Sequence, residues 1–181
     1  MKEYLDILDE QGDATGKSET YANIHKLGLI HRTVHVWFLN SRGQLLLQMR
    51  SKNKGAYPRH WDISAAGHVS SGQTSLDAAK RETQEELGLD LPESEFVFLF
   101  SVRQPIIMHS ETFIDNEFND VYLVRKNVDI KDLKLQTEEV DEVRWIDVPE
   151  FEQWAKEKKE SLVPHEEEYK KLLEFLKSDI R

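Results

Sequence analysis

Gly67-His68-Val69-Ser70-Ser71-Gly72-Gln73-Thr74-Ser75-Leu76-Asp77-Ala78-Ala79-Lys80-Arg81-Glu82-Thr83-Gln84-Glu85-Glu86-Leu87-Gly88-Leu89 reads as a loop, a short helix and a glycine stop. Thr74 or Ser75 can cap the helix. Asp77 falls in the first turn, where the positive end of the helix dipole favours a carboxylate. Gly88 can take the left-handed conformation that ends a helix. At about 100° per residue, Leu76, Thr83 and Leu87 share one face and Glu82, Glu85 and Glu86 another. Small Ala78 lies inside the acidic arc and leaves room beside it.

Three carboxylates on one arc cost energy. Glu82 and Glu86 are a like-charge pair four apart, which destabilises a helix by roughly 0.2–0.5 kcal/mol, and Glu85 lies between them. A divalent cation reverses the sign of that cost. Oxygen ligands of this kind suit Mg²⁺, Mn²⁺ or Ca²⁺ rather than zinc. Glutamates alone favour a solvated acidic face; the spacing of the whole stretch changes that balance.

The spacing resembles the box of the Nudix family, G-x5-E-x7-R-E-U-x-E-E-x-G-U with U aliphatic. Gly67, Arg81, Glu82, Glu85, Glu86, Gly88 and Leu89 stand in register. Gln73 replaces the first glutamate and Thr83 an aliphatic residue. In the family pattern that first glutamate anchors the arginine. Gln73 offers a neutral amide oxygen, so Arg81 is expected to lean more on Glu85. The Thr83 methyl can pack, but its hydroxyl, if buried, needs a partner. The resemblance implies a single α/β domain over residues 1–181, a Nudix-type α/β/α sandwich with a mixed β-sheet. It also implies a Mg²⁺ cofactor, with Mn²⁺ as an alternative, held by Glu82, Glu85, Glu86 and the Gly67 carbonyl.

Composition sets the bounds. At 181 residues the chain fits one domain with a full core, and 39% apolar residues make it globular. There is no cysteine, which excludes disulfides and thiol nucleophiles and points to the cytoplasm. No run is long enough to span a membrane, and the first residues lack the apolar core of a signal peptide. A net charge of −10 argues against broad nucleic-acid binding. It leaves a phosphate substrate open, because a bound metal sets the local field.

Along the chain, Tyr4 to Asp9 reads as a strand, Glu10-Gln11-Gly12-Asp13 as a turn and Ala14-Thr15 as the return. Ser18 to Lys26 is expected to be helical with Ser18 as its cap. Thr33 to Leu39 is rich in β-formers and reads as a central strand, turned by Asn40-Ser41-Arg42-Gly43 into Gln44 to Met49. Strands are also expected at Phe96–Val102, Asn119–Val124 and Val143–Ile146. Helices are expected from Pro149 to about Lys159 and from His165 to Lys177.

The segment from Asp6 to His31, with the turn after it, is similar to the Nudix branch that contains isopentenyl-diphosphate isomerase. Residues 1–32 then form an N-terminal extension packed on the domain. By that resemblance His25, His31 and His68 fall near metal-binding histidines, and Asp115-Asn116-Glu117 near a downstream acidic pair. The isomerase's cysteine is Ala66 here, so the expectation is a hydrolase on an isomerase-like scaffold. His35, His60, His109 and His165 read as structural or solvated.

The expected reaction is metal-dependent hydrolysis of a diphosphate linkage, in a nucleoside diphosphate linked to another moiety, by attack of water on phosphorus. A carboxylate takes the proton. Glu82 or Glu117 is the expected base, with Glu111, Asp115 and Asp120 as competitors to Glu117. Glu85 and Glu86 are the firmest metal ligands, and Arg81 fixes helix and loop. Arg50, Lys52, Lys54 and Arg59 are candidates for substrate phosphates. Trp37, Tyr57, Trp61 and Phe113 could stack a base, with core packing the expected job of Trp37. The partner is a small-molecule diphosphate, and a homodimer is open because dimers are common in the family. The alternatives are an isopentenyl-diphosphate isomerase-like enzyme, or a Nudix domain that senses a nucleotide without cutting it.

Overall fold

A computed structural model describes residues 2–159 and 161–179. The outer limits of the expected domain, Met1 and Arg181, lie outside the described residues. A hairpin of β1 (Tyr4–Leu8) and β2 (Ala14–Thr20) precedes α1 (Tyr21–Leu27). Next come β3 (His31–Leu39), β4 (Gln44–Arg50), short β5 (Trp61–Asp62) and β6 (Ala65–His68), then α2 (Ser75–Leu87). After it run β7 (Phe96–Arg103), β8 (Ile107–Ser110), β9 (Phe113–Asp115), β10 (Glu117–Arg125) and β11 (Val140–Asp147). Two helices close the chain, α3 (Val148–Lys156) and α4 (Glu166–Asp179).

The central sheet has the order β11-β4-β3-β10-β7. β3 and β10 run parallel and the other neighbours antiparallel, so the sheet is mixed as expected. β6 lies on β3, and β5 on β4. Strand alternation sends side chains to two faces. Val34, Val36, Phe38 and Leu46 pack with Ala78, Ala79 and Leu87 of α2. Trp37, Leu45 and Leu47 pack with Phe151 and Trp154 of α3 and Leu172 of α4. Each fully buried Leu or Phe contributes roughly 1.5–3 kcal/mol. The result is the α/β/α sandwich. No helix among the described residues is long and apolar enough to cross a membrane.

The expectations differ from the structure at several edges. Ser18 is not a helix cap; it pairs with Asp6 in the β1–β2 ladder. That ladder takes the backbone through Thr20, whose side chain instead accepts from Asn23 N at 3.4 Å. The helix expected to reach Lys159 stops at Lys156, and Lys158 turns the chain at φ 48°. The β8–β9 hairpin has no counterpart in the sequence reading.

Candidate functional site

The ends of α2 are fixed locally. Thr74 is the cap: its Oγ1 accepts from Asp77 N at 3.1 Å and donates to Asp77 Oδ2 at 2.5 Å. Ser75 is engaged elsewhere, with the Tyr122 hydroxyl at 2.8 Å. Gly88 ends the helix at φ 72°, and its N–H donates to Gln84 O at 2.9 Å. Any side chain at Gly88 would also meet Lys134, whose Cβ lies 2.6 Å from where the new Cβ would stand. Thr83 is fully buried and its hydroxyl has no hydrogen-bond partner among the described residues.

Between these ends, Arg81 gathers the box. Its Nη1 donates to Glu82 Oε1 at 2.6 Å and to Glu85 Oε2 at 3.1 Å. Its Nη2 donates to His68 O at 2.8 Å and to Gln73 Oε1 at 3.4 Å. Gln73 does reach the arginine, but only at long range, and Glu82 holds it more closely than Glu85. Glu85 is half exposed. Glu86 is buried; its Oε2 accepts from Ala66 N and Gln48 Nε2, both at 3.0 Å. Burial pushes the Glu82 carboxyl up to about 7, with Arg81 opposing it. Burial, then the nearby charge of Glu82, pushes Glu86 up to about 8. Two proton-holding carboxyls behind the Ala66-Gly67 segment form an oxygen-rich set that fits a hard divalent cation.

On the other side of that segment lies a cavity of about 350 Å³. The pairing of Thr33 with His68 and of His35 with Ala66 sends these side chains to the face opposite Gly67 and Glu82. One wall carries His25, His68, Asp115 and Glu117. His25 Nε2 lies 3.2 Å from His68 Nε2, and His31 Nε2 lies 3.4 Å from Glu117 Oε1. One nitrogen each of His25, His31 and His68 falls within a 4.8 Å cluster able to hold a metal. Burial, then the charge of His31, pushes the His68 imidazole down to about 3. Burial would raise Glu117, but the adjacent His31 outweighs it and holds the carboxyl at about 2. Of the competitors, Asp120 pairs with Arg32 at 2.5 Å, Asp115 contacts His25 and His109, and Glu111 is an exposed turn residue.

The basic candidates for substrate phosphates divide. Arg50 and Lys54 line the cavity, and Lys54 pairs with Glu139. Arg59 and Lys52 do not line it; both are exposed and meet Asp141, Arg59 through its side chain at 2.6 Å and Lys52 through its backbone N at 3.3 Å. Among the aromatic candidates, Tyr57 and Phe113 line the cavity, whereas Trp37 and Trp61 belong to the core. Two histidines read as structural also border it. His35 Nδ1 donates to Glu168 Oε2 at 2.6 Å, and His165 Nε2 lies 3.2 Å from Asp62 Oδ1.

The NUDIX domain family matches residues 29–165. Nudix hydrolase 3 of Arabidopsis thaliana is 40% identical over 97% of this chain, which spans 23% of that protein. A Nudix hydrolase of Listeria monocytogenes is 38% identical, over 84% of this chain and 83% of its own. An isopentenyl-diphosphate Delta-isomerase of Shigella boydii is 32% identical, over 81% of this chain and 78% of its own. A Deinococcus radiodurans crystal structure shares the fold with a TM-score of 0.65, over 82% of this chain and 86% of that chain, at 23% identity. Matched from the start of β3 to the approach of α4, and to relatives over most of their own length, this chain belongs to the Nudix hydrolase family.

Proposed function

We propose that the chain hydrolyses a diphosphate linkage in a nucleoside diphosphate joined to another moiety, with Mg²⁺ or Mn²⁺ as cofactor. The observation that carries this reading is the pair of carboxyls, buried Glu86 and partly buried Glu82, set behind Ala66 and Gly67. Glu82, Glu85, Glu86 and the Gly67 carbonyl would hold the cation. It would supply charge neutralisation for the diphosphate and a more acidic water.

The chain's own groups do the rest. Arg81 fixes Glu82 and ties α2 to the His68 backbone. Glu82 or Glu117 takes the proton of the attacking water. Of the two, Glu82 sits nearer neutrality, the better range for a base working near pH 7. Arg50 and Lys54 reach substrate phosphates from the cavity wall only as they let go of Asp62 and Glu139. Arg59, salt-bridged to Asp141, would need that pair to open before it could take part. An isomerase reading lacks its thiol, since Ala66 occupies that position. Phosphate release from a panel of diphosphates, with Mg²⁺ and with chelator, tests the proposal and separates it from nucleotide sensing without cleavage.

A further inference from the structure

Strand β4 carries one amide in an apolar run, Leu45-Leu46-Leu47-Gln48-Met49. Leu46 and Gln48, two apart, leave the strand on the same face. Leu46 packs there with Ala78, Ala79 and Leu87 of α2. Gln48 is 3% exposed and meets Glu86 of the same helix, its Nε2 donating to Glu86 Oε2 at 3.0 Å. A buried amide costs free energy unless its hydrogen bonds are met, and an apolar residue would fill the strand without that cost. What Gln48 does to Glu86 accounts for its place.

The two oxygens of Glu86 are treated differently. Oε2 takes both donors, Gln48 Nε2 from β4 and Ala66 N from β6, each at 3.0 Å. A carboxylate oxygen has about two lone-pair sites, so Oε2 is filled. Oε1 has no hydrogen-bond partner among the described residues. It is also not one of the atoms sealed without a partner, which are His31 Nε2, Thr83 Oγ1, Gln104 Nε2, Asp115 Oδ1 and Asn116 Oδ1. Oε1 therefore keeps access to open space and is the oxygen available to a cation. The terminal torsion of a glutamate is broad. Two donors from two different strands fix it where one would not.

We propose that Gln48 is a positioning residue for the divalent cation: with Ala66 N it fixes the Glu86 carboxylate so that Oε1 faces the ion. Gln48 has this role only if the box carboxylates hold the cation, as proposed above. It touches no reacting atom and acts through Glu86. Removing a partner that stands one step behind a metal ligand typically costs about 10–100-fold in metal affinity.

Mn²⁺ binding to the full chain, read from the electron paramagnetic resonance signal of the free ion, tests this without turnover. The wild type should bind Mn²⁺, and Glu86→Gln should bind it at least about tenfold more weakly. Gln48→Met keeps the length and removes the donor. It should also weaken binding at least about tenfold, with a melting temperature no more than about 4 °C below wild type. Leu46→Val loosens the same face without touching the hydrogen bond, and should bind Mn²⁺ as the wild type does. Should Gln48→Met melt lower than expected, Gln48→Leu removes the donor in a second side chain and is judged against Leu46→Val in the same way. Gln48 variants that bind Mn²⁺ like the wild type, or no more weakly than Leu46→Val, would overturn the role of Gln48. If binding still depends on Glu86, that loss leaves the metal reading in place. A wild type that binds Mn²⁺ no better than Glu86→Gln overturns the metal reading and Gln48 with it.

Discussion

The Glu82 carboxylate occupies the space that a side chain on Gly67 would need: a Cβ built there stands 2.0 Å from Glu82 Cδ. Gly67 is therefore required by close approach rather than by backbone conformation. Gly67→Ala should force Glu82 or β6 to move. A displacement on the order of 1 Å at a catalytic group can cost about 100-fold, so kcat should fall by at least that factor. Steady-state kinetics beside a thermal melt checks this; unchanged kcat would mean that Glu82 does not act from its position against Gly67.

Thr83 stands where the family pattern has an aliphatic residue, and its hydroxyl is buried without a partner among the described residues. Thr83→Val removes the orphaned group at nearly constant volume. It should stabilise the fold by about 1 kcal/mol, a rise in melting temperature of about 2–4 °C. A melt lower than wild type would show that the hydroxyl is paired in solution.

The raised carboxyls predict a link between metal and pH. Their ordinary value is 4.5, while Glu82 lies at about 7 and Glu86 at about 8. Without metal, the folded chain binds more protons than the unfolded chain between those values, so this pair costs stability as pH rises through them. A divalent cation competes with the same protons. The melting-temperature gain from Mg²⁺ should therefore grow from about pH 6 to about pH 8.5. A gain that does not vary over this range would place the cation elsewhere.

Asp62 and His165 form a pair with the opposite sense. Burial would raise Asp62, but His165 and Arg50 outweigh it and hold the carboxyl far below its usual range. Burial would lower His165, but Asp62 outweighs it and raises the imidazole above 6.5. The Asp62 contribution is in place above its ordinary 3.8 and is lost only in strong acid. The His165 contribution is complete below 6.5 and is lost as pH rises through the raised value. Asp62→Asn should cost about 3–5 kcal/mol near pH 6, and the difference from wild type should narrow toward about pH 9. Denaturant titration at both pH values measures it.

The parts of the site that were legible in the sequence are local ones. Cap, carboxylate arc and stop lie within one short helix, where residues three and four apart are neighbours whatever the tertiary fold. The cavity is not local. Glu168 meets His35 across 133 positions, and His165 meets Asp62 across 103. Each of these residues reads singly as a surface or core residue. One signal was available: His31, Thr33, His35 and Trp37 alternate along a single face of β3, too polar a run for an ordinary core. Ser18 misled because hydroxyl residues suit both a cap and a strand, and the β1–β2 ladder decides between them. Gln48 gives only a faint signal, one amide in an otherwise apolar strand, because its partner Glu86 lies on a distant helix.

Glu86→Gln bears most directly on the central claim. It keeps an acceptor for Ala66 N and cannot take on the charge that burial disfavours. Phosphate release from the diphosphate panel in Mg²⁺ should be abolished by chelator in the wild type. In Glu86→Gln it should drop by about 100-fold or more, a loss on the scale of transition-state charge stabilisation, with a melting temperature no lower than wild type. Release at the wild-type rate in Glu86→Gln would contradict the assignment of the metal site.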